Sequence, residues 1–389
     1  MVFPTLGADT AGLFSIAAAQ AYLLWAIGTF GMRTFQASDA RYSFSFGTYV
    51  RSRFVTVGAM MVVGAGFLLF EGLVGAYSLA KIGVIGVMIG LRALDSLEDV
   101  VIGGFQQSDR LDIGAKLSTI RVGLTSAIIL VCVVVTRQLV WSLAAGFVVS
   151  IVVLGLLVRS SVPGRLSPMR DGGGLRPVGR LLWLCSPMFL ASFLTMWIAN
   201  APKYAIEAVL DSGAQGYFNL LSAPTFLVSL ISGMIYGPLV VRLSRYHVTG
   251  QTRLFNRLVI RVLAIIGIVT GIGLIGGFFL GIPILQLFAQ GSLAGMRRDL
   301  MLLLLASGFL AVAAFFAALL VIIRHQVRYS IALAVTALVG LTGVFWVRQW
   351  GMSGAVLLYL ALFVLETVLL AVFTLRSLRH GQNLPEETV

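Results

Sequence analysis

Eleven apolar stretches, at roughly 11–31, 54–70, 73–92, 115–136, 138–158, 181–200, 217–240, 258–279, 300–323, 329–347 and 353–375, fill most of this 389-residue chain. A hydrocarbon layer about 30 Å thick needs about 20 apolar residues per helix, so each stretch is long enough to cross a bilayer or nearly so. The mean hydropathy is +0.98. Only 11% of the residues are charged, against about a quarter in ordinary soluble domains. In lipid, only helices and closed barrels satisfy the backbone's own polar groups. Long unalternating runs, such as AIILVCVVV at 127–135, exclude barrel strands. The sequence therefore predicts an all-α, polytopic membrane protein of about 11 transmembrane helices.

The formal net charge of +13 would suggest nucleic acid in a soluble chain, but in a membrane chain the placement of charge matters more than its sum. No nucleic-acid partner is expected. Alternate connectors place 21 Lys and Arg residues on one side, against Lys81, Arg137, Lys203, Arg297, Arg298 and Arg348 on the other, with Arg121 inside a span. The richer side is expected to be cytoplasmic, which puts the C-terminus inside and Met1 outside. Residues 1–10 carry no basic region of the kind that opens a signal peptide. Cys132 and Cys185 fall inside spans and read as packing residues, while His247, His325 and His380 stand singly. No metal cluster or cofactor is expected.

The Pro-, Gly- and Arg-rich connector 159–180 reads as a linker between an N-terminal lobe of five helices, 1–158, and a C-terminal lobe of six, 181–376, with a cytoplasmic tail at 377–389. Gly172, Gly173 and Gly174 in that linker follow no strand and precede no Gly-Lys-Ser/Thr, so they are not a phosphate loop. An offset of 204 aligns residues 6–27 with 210–231, with identities at Leu6/Leu210, Gly12/Gly216, Phe14/Phe218, Ala19/Ala223, Leu23/Leu227 and Ile27/Ile231. Both segments run from the outer side inward, so the repeat is parallel, with its axis along the membrane normal. Shifted back by the same offset, the span 181–200 has its counterpart ahead of Met1. The sequence as written is thus expected to lack the opening helix of the first of two six-helix lobes.

With these residues in view, the chain resembles the O-antigen flippase-like, polysaccharide-exporting branch of the multidrug/oligosaccharidyl-lipid/polysaccharide (MOP) superfamily. The resemblance rests on Leu6-Gly7 with Gly12-Leu13-Phe14-Ser15, on Gly216-Tyr217-Phe218-Asn219, on ISGMIYGPLVVRLSRYH at 231–247 and on GIPILQLFAQGSLAGM at 281–296. It implies a MATE-like pair of helical bundles in a bacterial inner membrane. These rock between inward- and outward-open states and move a polyprenyl-pyrophosphate-linked oligosaccharide. Membrane lipid and polysaccharide assembly machinery are the partners it implies. A cation-coupled multidrug antiporter of the same fold is the alternative.

Ionisable side chains inside hydrocarbon normally face a partner or a wet cavity. Glu366, alone in YLALFVLETVLLAVF, reads either as a carboxylate binding a coupling cation or proton or as a hydrogen-bond partner of a neighbouring helix. Lys203 and Glu207, four apart, would share a helical face and neutralise each other; alternatively Lys203 meets an anionic substrate and Glu207 takes part in ion coupling. Lys81, about eight residues into its span, and Arg121 are further cationic candidates for the substrate, although Arg92 and Arg121 lie close enough to the surface to snorkel. Asp95, Glu98 and Asp99 are expected to pair with Arg92 or Arg110. Asn200, Asn219 and Gln20 can bond either sugar hydroxyls or neighbouring helices. Pro202, Pro224 and Pro238 can bend helices for gating, and Trp141, Trp183, Trp197, Trp346 and Trp350 suit the membrane interfaces. An enzyme is not expected, because the outer loops are short and carry no His.

Overall fold

The structure, a computed structural model, describes residues 2–39, 42–161, 174–289, 293–323 and 325–381, and its regular elements are all helical. The helices are α1 Val2–Leu6, α2 Ala8–Thr29, α3 Met32–Ser38, α4 Phe46–Leu73, α5 Leu79–Gln107, α6 Leu111–Thr136 and α7 Leu139–Ser161. They continue with α8 Leu175–Val209, α9 Ser212–Val248, α10 Thr252–Gly276, α11 Ile282–Gln286, α12 Arg297–Ile322, α13 Gln326–Gly340 and α14 Gly343–Gly381. Among the described residues, nine helical segments are long and apolar enough to cross a membrane. The protein is an all-helical, multi-pass membrane protein.

Local chemistry sets the helix ends. Ser45, Ser78 and Asp211 cap α4, α5 and α9 by accepting hydrogen bonds from the amides of Thr48, Lys81 and Ala214, which satisfies donors that have no partner within the helix. The starts of α2 at Ala8 and α9 at Ser212 fall at the offset of the sequence repeat. Two spans differ from the sequence reading. The third is not 73–92: α4 continues to Leu73, a turn follows with Gly75 at φ 73°, and α5 then runs to Gln107. The tenth is divided into α13 and the first turns of α14, which bends at Gly351.

The chain forms two compact units, Met1–Met196 and Trp197–Val389, with the division inside α8. Residues 162–173 of the expected linker lie outside the described residues, and its two ends are helical turns of α7 and α8. The first turns of α8 belong to the first unit, where Leu181 and Cys185 are buried with Met32, Tyr49, Val101 and Phe105. In that unit α5 is the central helix, packed by α2, α4, α6 and α7. In the second unit α12 takes that place, against α9, α10 and α14. Protein rather than lipid surrounds α5, and this explains how its second half carries Asp95, Glu98 and Asp99. By contrast α4 presents Phe54, Val62, Leu69 and Leu73 outward, the pattern of a lipid-facing helix.

Asp39, between α3 and α4, anchors the entry to α4. Burial alone would raise its carboxyl, but hydrogen bonds donated by the Ser43 and Phe44 amides and the Tyr49 hydroxyl hold it below the usual carboxylate range. A depressed folded-state pKa contributes stability above the unfolded value and loses it as pH falls through the folded one. Asp39→Asn is therefore expected to remove part of the acid sensitivity, so that wild-type and variant melting temperatures converge as the pH drops below about 4. A difference that stays constant across that range would refute the assignment.

Candidate functional site

In the first unit, two polar clusters lie along α5. The first gathers around Tyr77, just ahead of the helix. Gln20 Nε2 donates to the Tyr77 hydroxyl at 2.8 Å, and Lys81 Nζ stands 3.9 Å from the centre of the Tyr77 ring. Lys81 is not eight residues deep, as its sequence position suggested, but in the first turn of α5, because Ser78 caps the helix there. The structure thus brings together Gln20 and Lys81, two of the candidates, through an aromatic residue that no pattern in the sequence marked.

The second cluster centres on Asp95, 14 residues beyond Lys81 on α5 and about 21 Å away at 1.5 Å per residue. Arg121 of α6, 3% exposed, donates to Asp95 at 2.5 Å, Glu98 at 2.6 Å and Ser150 at 2.8 Å. It does not snorkel; its charge is taken up by two carboxylates. Arg92 pairs with Asp95 at 2.6 Å, as expected, and lies over the Tyr22 ring. Arg110 does not join the cluster and pairs with Asp112 instead. Its place is taken by Arg53, fully buried, which donates to Asp99 at 2.8 Å and to the Gly28 carbonyl at 2.6 Å, with Arg33 3.6 Å from the same carboxylate. Alternating charges in low dielectric attract strongly, and they leave this cluster suited to holding α2, α4, α5 and α6 together.

In the second unit, Asn200, Lys203 and Glu207 follow one another along one face of α8, at the i, i+3, i+7 spacing of a helix. Asn200 is buried and Lys203 partly so. Among the described residues Lys203 makes no ion pair, with Glu207 or any other carboxylate, so the expected neutralising pair does not form. Beside them Trp197 donates to the Ala337 carbonyl at 3.2 Å and stacks on Tyr204, which fixes the face of α8 against α13. Trp197 is therefore a packing residue, whereas Trp141, Trp183 and Trp350 are exposed as interfacial anchors would be. Asn219 lies partly buried on α9.

Glu366 is 7% exposed on the face of α14 that also buries Leu362, Phe363 and Leu370. The next residue, Thr367, donates to the Phe309 carbonyl of α12 at 2.9 Å, which places this face against the central helix of the unit. No ion pair or hydrogen bond of the Glu366 carboxylate exists among the described residues. No group of three or more His, Cys, Asp or Glu able to hold a metal is present among them either.

This arrangement of helices is similar to that of solved transporters. An inward-facing multidrug resistance MATE family transporter of the MOP superfamily superposes with a TM-score of 0.76 at 13% identity, over 99% of this chain and 92% of that one. The lipid II flippase MurJ, in an inward closed conformation, gives 0.66 at 13% identity over 98% and 92%. A MOP superfamily transporter from Pyrococcus furiosus gives 0.55 at 11% identity over 96% and 86%. No family model matches the sequence, and no curated protein does. The fold is MATE-like, an all-helical multi-pass arrangement similar to that of these transporters.

Proposed function

We propose that the chain is a flippase that moves a lipid-linked oligosaccharide across a bacterial cytoplasmic membrane by alternating access, for polysaccharide biosynthesis. The observation that carries this reading is Lys203, a partly buried ammonium within a span that no carboxylate neutralises among the described residues. An uncompensated cation at such a position attracts an anion, and a pyrophosphate linker is an anion of suitable size. Asn200, on the same face and one turn away, adds an amide suited to a phosphate or sugar oxygen. In the first unit, Lys81 with Gln20 and Tyr77 offers a second cationic and hydroxyl-bearing group. Contact with polysaccharide assembly machinery belongs to the same reading.

Glu366 favours a coupling role and gives the multidrug antiporter its best support. A carboxylate this buried, with no partner among the described residues, is suited to exchanging a proton or monovalent cation during the cycle. Glu207, near Lys203, is the second carboxylate proposed for coupling.

Reconstituted protein is expected to accelerate transbilayer movement of a polyprenyl-pyrophosphate sugar, and Lys203→Ala to slow it by about tenfold, the loss of one charge-assisted contact, while Lys203→Arg retains it. Glu366→Gln is expected to leave binding in place and abolish the response to an imposed cation gradient. Drug efflux with no lipid movement would replace the flippase by the antiporter. Unchanged rates in Lys203→Ala would remove Lys203 from the substrate site.

A further inference from the structure

The second unit carries a groove of about 590 Å³ between α9, α10 and the start of α12, and every residue lining it is apolar. Its back is closed: a Cβ on Gly277 or Gly281 would run into Leu304 or Leu300 of α12. Its front is open, since a Cβ on Gly276 would meet nothing within 4 Å. The rims, Leu227 on α9 and Ile272 on α10, are exposed in a helical segment of membrane-spanning length. An exposed apolar rim in segments of membrane-spanning length is suited to contact with lipid, and an apolar hollow left unfilled in hydrocarbon forfeits dispersion contacts along its whole wall.

One end of the groove is charged. Arg297, the first residue of α12, is exposed and sets its guanidinium 5.2 Å from the centre of the Phe278 ring, next to the groove-lining Gly277. It lies one helical turn before Leu300, which also lines the groove. Apolar walls ending in a cation match an amphiphile with an anionic head.

We propose that this groove binds one acyl chain of an anionic phospholipid, with the phosphate against Arg297, in the leaflet on the side of the α12 N-terminus. Position supplies a consequence for the fold. On one rim Pro224 withholds a backbone donor from the α9 ladder. On the other the chain passes through a π-helical turn at Gly277–Gly281, where Pro283 cannot bond to the carbonyl four residues back. The bound chain thus braces α9 and α10 where both ladders are interrupted. The inference stands whichever molecule is transported.

The experiment is native mass spectrometry of the full chain titrated with phosphatidylglycerol, with phosphatidylcholine of the same acyl chains, and with polyprenyl phosphate in competition. Wild type is expected to retain one phosphatidylglycerol about fivefold better than phosphatidylcholine, the preference conferred by one Arg near an anionic headgroup. Arg297→Gln should lose that preference and still retain lipid, and Gly276→Leu should retain neither. Melting temperatures in lipid-free detergent establish that Gly276→Leu folds; if it does not, Leu227→Trp narrows the groove from the α9 side. Equal retention by wild type and the groove-filling variant, or an unchanged headgroup preference in Arg297→Gln, overturns the proposal. Displacement of phosphatidylglycerol by polyprenyl phosphate at lower concentration overturns it in favour of the carrier lipid.

Discussion

Arg53→Met is expected to lower the unfolding free energy of the first unit by about 3–5 kcal/mol, the usual cost of removing one partner of a buried ion pair. Arg53 is fully buried, and its two terminal nitrogens are committed to Asp99 and to the Gly28 carbonyl. Methionine fills much of the same volume, so the loss is chiefly electrostatic. Among the described residues Asp99 would keep Arg33 as its one ion-pair partner, the more exposed and longer at 3.6 Å, while Gly28 O would keep the Thr56 hydroxyl. The double variant Arg53→Met, Asp99→Leu removes both charges together and is expected to recover most of the loss, since a well-packed apolar pair is often no less stable than a buried ionic one. Thermal unfolding in detergent distinguishes these outcomes. A melting temperature unchanged in Arg53→Met would show that the pair contributes nothing, and a double variant no better than the single would assign the loss to packing.

Gly354→Ala is expected to destabilise the second unit at the upper end of the range for overpacking, about 3 kcal/mol. A Cβ built there overlaps the carbonyl oxygen of Trp346 and comes within 3.1 Å of Val347 Cα. Both are backbone atoms, so no side-chain rotation relieves the contact. The close approach accompanies the kink of α14 at Gly351, whose φ of 58° and ψ of −139° lie in a region open to glycine alone. Gly351→Ala should therefore also destabilise, by about 1–3 kcal/mol, through backbone strain instead of collision. The same melting measurement tests both. A Gly354→Ala variant as stable as wild type would mean that the α14 corner is open in solution.

The membrane-spanning character of the chain was legible in the sequence because hydropathy and length answer to the bilayer, a solvent with one fixed thickness. The repeat was legible where α2 and α9 begin, at Ala8 and Ser212. Hydropathy located α5 poorly for a physical reason: a helix sheathed by other helices is not constrained by lipid, so its polar second half ran past the expected end at residue 92 to Gln107. The tenth span failed similarly, because a 15-residue α13 and the turns before Gly351 are joined by nothing that hydropathy reads.

The candidate residues divide along the same line. Composition marked Glu366, Lys203 and Arg121 as costly charges within apolar runs, and that cost follows from sequence alone. Whether each charge has a partner depends on residues distant in sequence. Arg121 finds Asp95 and Glu98 on another helix, Lys203 passes over the acid four residues away, and Tyr77, which stands beside Lys81, bonds to Gln20 57 positions away. Sequence by itself determined the solvent, the class of fold and the positions where a charge needs an explanation, because these depend on local hydrophobicity and helix periodicity. Only the tertiary structure decided which charges are neutralised and which have no ion-pair partner among the described residues, because ion pairing depends on distances of a few ångströms between helices that the chain order leaves open.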